Sequence, residues 1–260
     1  MTRRALVLFT LVLIASSTFA QTTTTTKTSR RPNIPGSILF DFGFNSGLNK
    51  PDLWKQSFIG SHTINIHYQY PIRFGRSRFS FNPGAGFSFE RFRWKDNVVL
   101  VNPAEANANA QVEKYEFGAA KYYYPNPKKP ILGTNYLDVP LELRFDTKPE
   151  DISRSFNVAL GVRGGWMYDS FMKVKYKTDG QNKKIKDNQD FGLTKFRYGI
   201  YTRVGIGSLN FFLFYNMTQL FQKDKGPFNG GKILEPNIIQ GGTTGTTMNT
   251  FTAGISLNGF

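Results

Sequence analysis

Between positions 63 and 74 every second residue is large and apolar. Ile64, Ile66, Tyr68, Tyr70, Ile72 and Phe74 alternate with Thr63, Asn65, His67, Gln69 and Arg73. A period of two puts the two sets on opposite faces of an extended strand, because successive side chains there point in opposite directions. A helix would scatter both sets around its axis. The chain repeats this arrangement: Leu137, Val139, Leu141, Leu143 and Phe145 lie opposite Asp138, Glu142 and Arg144. Phe156, Val158, Leu160 and Val162 lie opposite Asn157, Gly161 and Arg163. Phe196, Tyr198, Ile200, Val204 and Ile206 lie opposite Lys195, Arg197 and Arg203.

Four further segments carry the period less cleanly. Ile38, Phe40, Phe42 and Phe44 alternate around Asp41 and Gly43. Phe79, Phe81, Ala85, Phe87 and Phe89 keep one phase, then Phe92 and Trp94 change it, which predicts a β-bulge. Residues 209–221 carry aromatics on both faces, and Phe251, Ala253, Ile255 and Leu257 form a last strand before Phe260. The pattern predicts about eight antiparallel strands, with no helical period between them.

Connections give a second, independent signal. Tight turns fall at Gly75-Arg76-Ser77, Lys148-Pro149-Glu150-Asp151 and Gly207-Ser208, between long connections at 47–58, 95–133, 177–192 and 222–247. Short and long alternate. An up-and-down barrel in an outer membrane has short periplasmic turns at one rim and long extracellular loops at the other. Eight strands also return the chain to the side from which it entered.

The first twenty residues read as an export leader. Arg3 and Arg4 precede the apolar run 5–14, which is too short for a membrane helix, and Thr18-Phe19-Ala20 ends it with a cleavage-type sequence. No Cys follows, so a lipid anchor is not expected there. Residues 21–35 form a Thr-rich segment with nothing to bury, expected to be a flexible tail, and residues 36–260 form the β-domain. The absence of Cys suits a domain held by a closed hydrogen-bond ladder. A mean hydropathy of −0.36 does not argue for a soluble protein, since membrane barrels mix lipid-facing and lumen-facing residues.

Alternation alone does not say which face points inward. The polar face mixes Gly84, Gly86, Gly161, Gly165, Gly199 and Gly205 with long charged residues, a combination that fills a narrow cylinder. The apolar face is rich in large residues, with Phe and Tyr frequent near strand ends, as an aromatic girdle at a bilayer surface requires. The expected fold is therefore all-β: an antiparallel, up-and-down transmembrane β-barrel, monomeric, in a Gram-negative outer membrane. A lipocalin-like barrel, apolar inside, is the alternative.

One strand carries a family likeness. Asn135-Tyr136-Leu137-Asp138-Val139-Pro140-Leu141-Glu142-Leu143-Arg144-Phe145 resembles the Tyr-Leu-Asp/Glu-Val/Ile-Pro-Leu strand of PorT-like outer-membrane β-barrel proteins of Bacteroidota. The resemblance implies an outer-membrane location and recognition by the barrel-assembly machinery through a last strand ending at Phe260. That residue is out of phase with Ile255 and Leu257 unless a bulge at Asn258-Gly259 restores it.

The inward set predicts a lumen charge network of Arg73, Arg78, Glu90, Asp138, Glu142, Arg144, Arg163, Lys195, Arg197 and Arg203. Confined charges must be paired or hydrated. A salt-bridge plug is the expectation, because eight strands leave little room for an anion-selective path. Only His62 and His67 are present and Cys is absent, so neither a catalytic site nor a metal site is expected. Gly84-Ala85-Gly86 and Gly205-Ile206-Gly207 complete no phosphate or cofactor fingerprint, and no cofactor is expected.

The formal charge of +15 would suit nucleic acid, but an exported chain without a recognition motif has no such partner. Arg91, Arg93 and Lys95, beside Phe92 and Trp94, are instead candidates for lipopolysaccharide phosphates, with outer-membrane lipid as the surrounding partner. Tyr122, Tyr123 and Tyr124 form a candidate partner loop, on which exposed aromatics would meet an envelope protein or cover the barrel mouth. The expected role is structural or interactive in the cell envelope, without enzymatic activity. The alternatives are a subunit of a protein secretion or gliding complex, a narrow anion-preferring channel and, last, a lipid A-modifying enzyme.

Overall fold

The computed structural model describes residues 36–50, 54–95, 98–101, 116–119, 128–223, 225 and 247–259. The leader, the Thr-rich segment 21–35, Tyr122, Tyr123, Tyr124 and Phe260 lie outside them. Twelve strands are described: β1 (Ser37–Leu48), β2 (His62–Gln69), β3 (Ile72–Arg73), β4 (Phe79–Arg93), β5 (Val98–Val101), β6 (Glu116–Ala119), β7 (Lys128–Asp146), β8 (Phe156–Thr178), β9 (Gln181–Asp187), β10 (Phe196–Ile206), β11 (Leu209–Asn216) and β12 (Asn249–Gly259).

Eight of them close a ring. The order is β1-β2-β4-β7-β8-β10-β11-β12, and β12 pairs back onto β1 from Leu48 opposite Asn249 to Ile38 opposite Gly259. Every pairing is antiparallel, so no edge is left open in the ring. β3 continues the β2–β4 ladder in the same register after Pro71, which has no N–H to give it. β12 runs to Gly259 without a register shift, so no bulge forms at Asn258-Gly259.

Alternation is realised with the apolar face outward. On β10, Phe196 is 70% exposed and Arg197 beside it 3%. Ile38, Phe40, Phe87, Val139, Leu160, Val162, Ile206, Phe211 and Ile255 are likewise exposed, on every side of the ring. A contiguous apolar exterior beyond about a few hundred Å² is foreign to soluble monomers and marks a surface made for lipid. Trp166, Tyr168, Phe196 and Tyr198 gather toward the long-loop end, and Phe79, Phe145 and Phe156 toward the short-turn end. These are the two girdles of a membrane band. Among the described residues no helix is long and apolar enough to cross a bilayer.

The long connections hold more structure than their composition suggests. β8 extends to Thr178, and at about 3.3 Å per residue its 23 residues reach roughly 75 Å, well past an apolar band of about 25 Å. A bulge at Tyr168, opposite Asn135 and Tyr136, switches its phase on the way. Even-numbered Ser170, Met172 and Val174 then face inward. β9 pairs with this extension, and β5 and β6 form a small separate sheet.

Phe92 and Trp94 correct an expectation. The β2–β4 and β4–β7 pairings run to Arg91 and Arg93 without a register shift, so the predicted bulge is absent. The strand keeps its phase, and what changes is the interior. At the long-loop end Phe92 and Trp94 point in and are fully buried among Trp54, Leu132, Leu193 and Phe221. Trp54 meets Phe92 and Trp94 edge-on, with centroids 5.7 and 5.1 Å apart. The barrel thus has a polar filling at membrane level and an apolar cap above it.

Candidate functional site

The polar filling is built from rows that cross the ring. Residues directly opposite on neighbouring strands share a level and a face. One row reads His67, Gly86, Asp138, Gly165, Arg197 across β2, β4, β7, β8 and β10. Another reads Asn82, Glu142, Gly161, Tyr201 across β4, β7, β8 and β10. In each row a glycine leaves the gap into which its neighbours lean. A Cβ on Gly161 would sit 2.5 Å from Tyr201 Cζ, and one on Gly165 would sit 2.2 Å from Asp138 Oδ1.

Asp138, fully buried, is the centre. Arg197 donates from Nη2 to Oδ2 at 2.9 Å and from Nε to Oδ1 at 3.4 Å, while its Nη1 donates to Glu90. Ser88 also donates to Asp138, and the Arg163 guanidinium lies 3.8 Å away. Arg203 bridges a second pair of acids, donating to Asp41 at 2.9 Å and to Glu142. Asn65 donates to Asp41 at 3.1 Å and Asn82 to Glu142 at 3.3 Å. Arg144 pairs with Asp146 at 3.0 Å near the short turns. Aromatic rings share the load: Arg163 lies 3.6 Å from the Phe214 centroid, and Arg197 lies 3.6 Å from that of Tyr136.

Among the described residues the buried charges are four arginines and five carboxylates. The basic excess of the described residues therefore lies outside the lumen, whose buried charges show no surplus of cations to attract anions. The space bounded by Asp41, His67, Pro140, Arg163, Tyr201 and Phe212 is too small to admit a water molecule.

The structure brings together Glu90, Asp138, Glu142, Arg144, Arg163, Arg197 and Arg203 in this interior. It places Arg73, Arg78 and Lys195 elsewhere. Arg73 lies at the short-turn rim, exposed, and donates to Pro149 O of the next turn at 2.9 Å. Arg78 is exposed in the turn before β4. Lys195 precedes β10 and pairs with Asp190 at 3.4 Å while more than half exposed. All three have the inward phase, but Arg73 is the last residue of its ladder and Arg78 and Lys195 lie past the ends of theirs, where water solvates a charge more cheaply than the lumen does. Asp41, Tyr136 and Tyr201 belong to the interior and are missing from the expected network. The signal for Asp41 was present, since it alternates with Phe40 and Phe42.

His67 is buried between acids, its Nε2 3.6 Å from Asp138 and its Nδ1 4.0 Å from Asp41. His62 is half-buried on the outer face, stacked on Phe42. Arg91 and Arg93 also face outward, half-buried, and Lys95 is exposed just beyond β4. Arg91 donates to Asn135 Oδ1 at 2.9 Å and lies 4.9 Å from the Phe171 centroid.

No curated protein matches this sequence significantly. Among solved structures, the crystal structure of Ail, the attachment invasion locus protein of Yersinia pestis, is similar at 15% identity and a TM-score of 0.31. That match covers 86% of this chain and 97% of Ail. Ail in complex with the heparin analogue sucrose octasulfate is similar at 13% identity and a TM-score of 0.30, over 86% of this chain and 99% of that one. The family model described as the outer membrane protein beta-barrel domain matches residues 19–221, most of the chain. With its ring of eight strands, the chain belongs to this family of outer-membrane β-barrel proteins.

Proposed function

We propose that this chain is a sealed, non-conducting barrel with a structural or interaction role in the cell envelope and no catalytic activity. The observation that carries the reading is the double filling: buried ion pairs around Asp138 at membrane level, and the apolar cap of Trp54, Phe92 and Trp94 above them. An ion would have to break several buried pairs and part an aromatic cluster to pass. His67 supports the absence of lipid chemistry, because an acyl chain on the outer wall does not reach an imidazole enclosed in the lumen. Export through a leader cleaved after Ala20, and delivery to the assembly machinery through the last strand, complete the reading.

The test is conductance of the folded protein in a planar bilayer. No discrete steps are expected at moderate voltage, and reproducible steps would overturn the sealed reading. A second reading is a subunit of a secretion or gliding complex, favoured by the PorT-like strand. Its Tyr136 and Asp138 face the lumen, while Leu137, Val139 and Leu141 face outward. Large envelope proteins that co-purify in mild detergent would support that reading, and a protein that migrates alone would remove it.

A further inference from the structure

The outward faces of four adjacent strands change character above the upper girdle. Up to Phe87, Leu137, Trp166 and Tyr168 they are apolar and aromatic. Two levels higher, Arg91, Gly133 and Phe171 stand side by side on β4, β7 and β8. The next level holds Arg93, Ile131, Lys173 and Lys186, the last on β9. Above it, Lys128, Lys175 and Lys184 lie directly opposite one another on β7, β8 and β9.

Like charges directly opposite on neighbouring strands are destabilising. Here two levels in succession set lysine against lysine on one face. Asp169, beside the patch, already accepts from Asn135 at 2.8 Å and Asn188 at 3.3 Å, and lies 3.8 Å from Lys186. Among the described residues, none of Arg91, Arg93, Lys128, Lys173, Lys175 and Lys184 has a carboxylate within salt-bridge distance. Arg91 and Lys186 both approach the Phe171 ring, at 4.9 and 4.2 Å from its centroid, and so stand together at the foot of the patch. Phe171 in turn lies over Gly133, where a Cβ would come within 2.4 Å of the ring.

A face that concentrates seven cations in register, with Asp169 paired to Lys186 alone, calls for an external anion. Its height decides which one. The patch begins just above the aromatic girdle at the long-loop end, where the outer-leaflet headgroups of the membrane lie. We propose that the β4–β7–β8–β9 face binds the phosphate groups of outer-leaflet lipopolysaccharide, with the buried Phe171 ring holding Arg91 and Lys186 at the foot of the patch. The inference rests on the outer-membrane placement of the barrel and is independent of whether the lumen is sealed. It widens the Arg91, Arg93 and Lys95 cluster of the sequence to a surface whose larger part is the β8–β9 lysines.

The experiment uses the full-length exported protein, purified folded and placed in phosphatidylcholine nanodiscs. Binding of bisphosphorylated lipid A is compared with that of lipid A stripped of both phosphates. Wild-type protein is expected to bind the phosphorylated form at least about tenfold more tightly. The fourfold variant K173S/K175S/K184S/K186S is expected to lose that preference, while arginine at the same four positions keeps it. Gel mobility before and after boiling verifies that each variant is folded. Equal binding of the two lipids by the wild-type protein overturns the proposal without any variant. So does a folded serine variant that keeps the full preference.

Discussion

Arg197 and Asp138 pair across an intervening strand. They stand on β10 and β7, and the residue between them on β8 is Gly165, opposite both. The absence of a side chain there lets the guanidinium span two strand spacings and donate to both carboxylate oxygens. The same device seats Tyr201 over Gly161 beside Glu142. The barrel's inner wall is thus a set of long side chains leaning over glycines, which is how a narrow cylinder is filled with paired charges.

Gly161→Ala should test this filling directly. The added methyl meets both the Tyr201 ring and Leu141 O, which is backbone and has little room to yield. A loss of about 1–3 kcal/mol is expected from overpacking. Urea unfolding in detergent, followed by the shift in gel mobility, reads it. Gly164→Ala is the control, because a Cβ there meets nothing within 4 Å.

Asp138→Asn should be more damaging than any single change at the rim. It leaves Arg197 and Arg163 in a buried site with one carboxylate fewer, and a broken buried pair costs about 3–5 kcal/mol. Asp138→Leu combined with Arg197→Met removes the central pair but leaves Glu90 without its arginine, so it should recover only part of the loss. Unfolding midpoints of the two variants, measured side by side, decide whether pairing or mere polarity holds the lumen.

Phe92→Ala separates the cap from the barrel. Phe92 is fully buried and packs edge-on against Trp54, so truncation should cost about 3–5 kcal/mol. The loss should be confined to the long-loop end. Trypsin is expected to cut the long connections several times faster, while the barrel fragment keeps its heat-dependent gel shift.

Much of this architecture was legible in the sequence because the two-residue period is a direct record of facing. The strand from Leu137 to Phe145 is read correctly residue by residue, and so are Arg163, Arg197 and Arg203 on theirs. Where reading fails, it fails at the ends of the ladders. Phase alone assigns Arg73, Arg78 and Lys195 to the interior, but phase says nothing of where the lumen stops and water begins. Phe92 and Trp94 mislead for the opposite reason. Beyond the membrane the solvent outside is water again, the inside turns apolar, and an unbroken strand mimics a bulge. The β8 extension shows the same inversion, with Met172 and Val174 inward and Lys173 and Lys175 outward.

Val162→Arg places a charge on the outer face in the middle of the apolar band, between Leu141 on β7 and Ile200 on β10. A cost of about 2–4 kcal/mol is expected there. Arg76→Glu, in the exposed turn between β3 and β4, should change stability little. Unfolding in phospholipid vesicles compares the two.

The facing of the strands can be measured residue by residue, since the chain has no cysteine of its own. Single cysteines at Asn157, Val158, Ala159, Leu160 and Val162 would carry nitroxide labels in lipid vesicles. Oxygen accessibility should be high at 158, 160 and 162 and low at 157 and 159. The opposite alternation, or none at all, would contradict a barrel that turns its apolar side to hydrocarbon and encloses its charges.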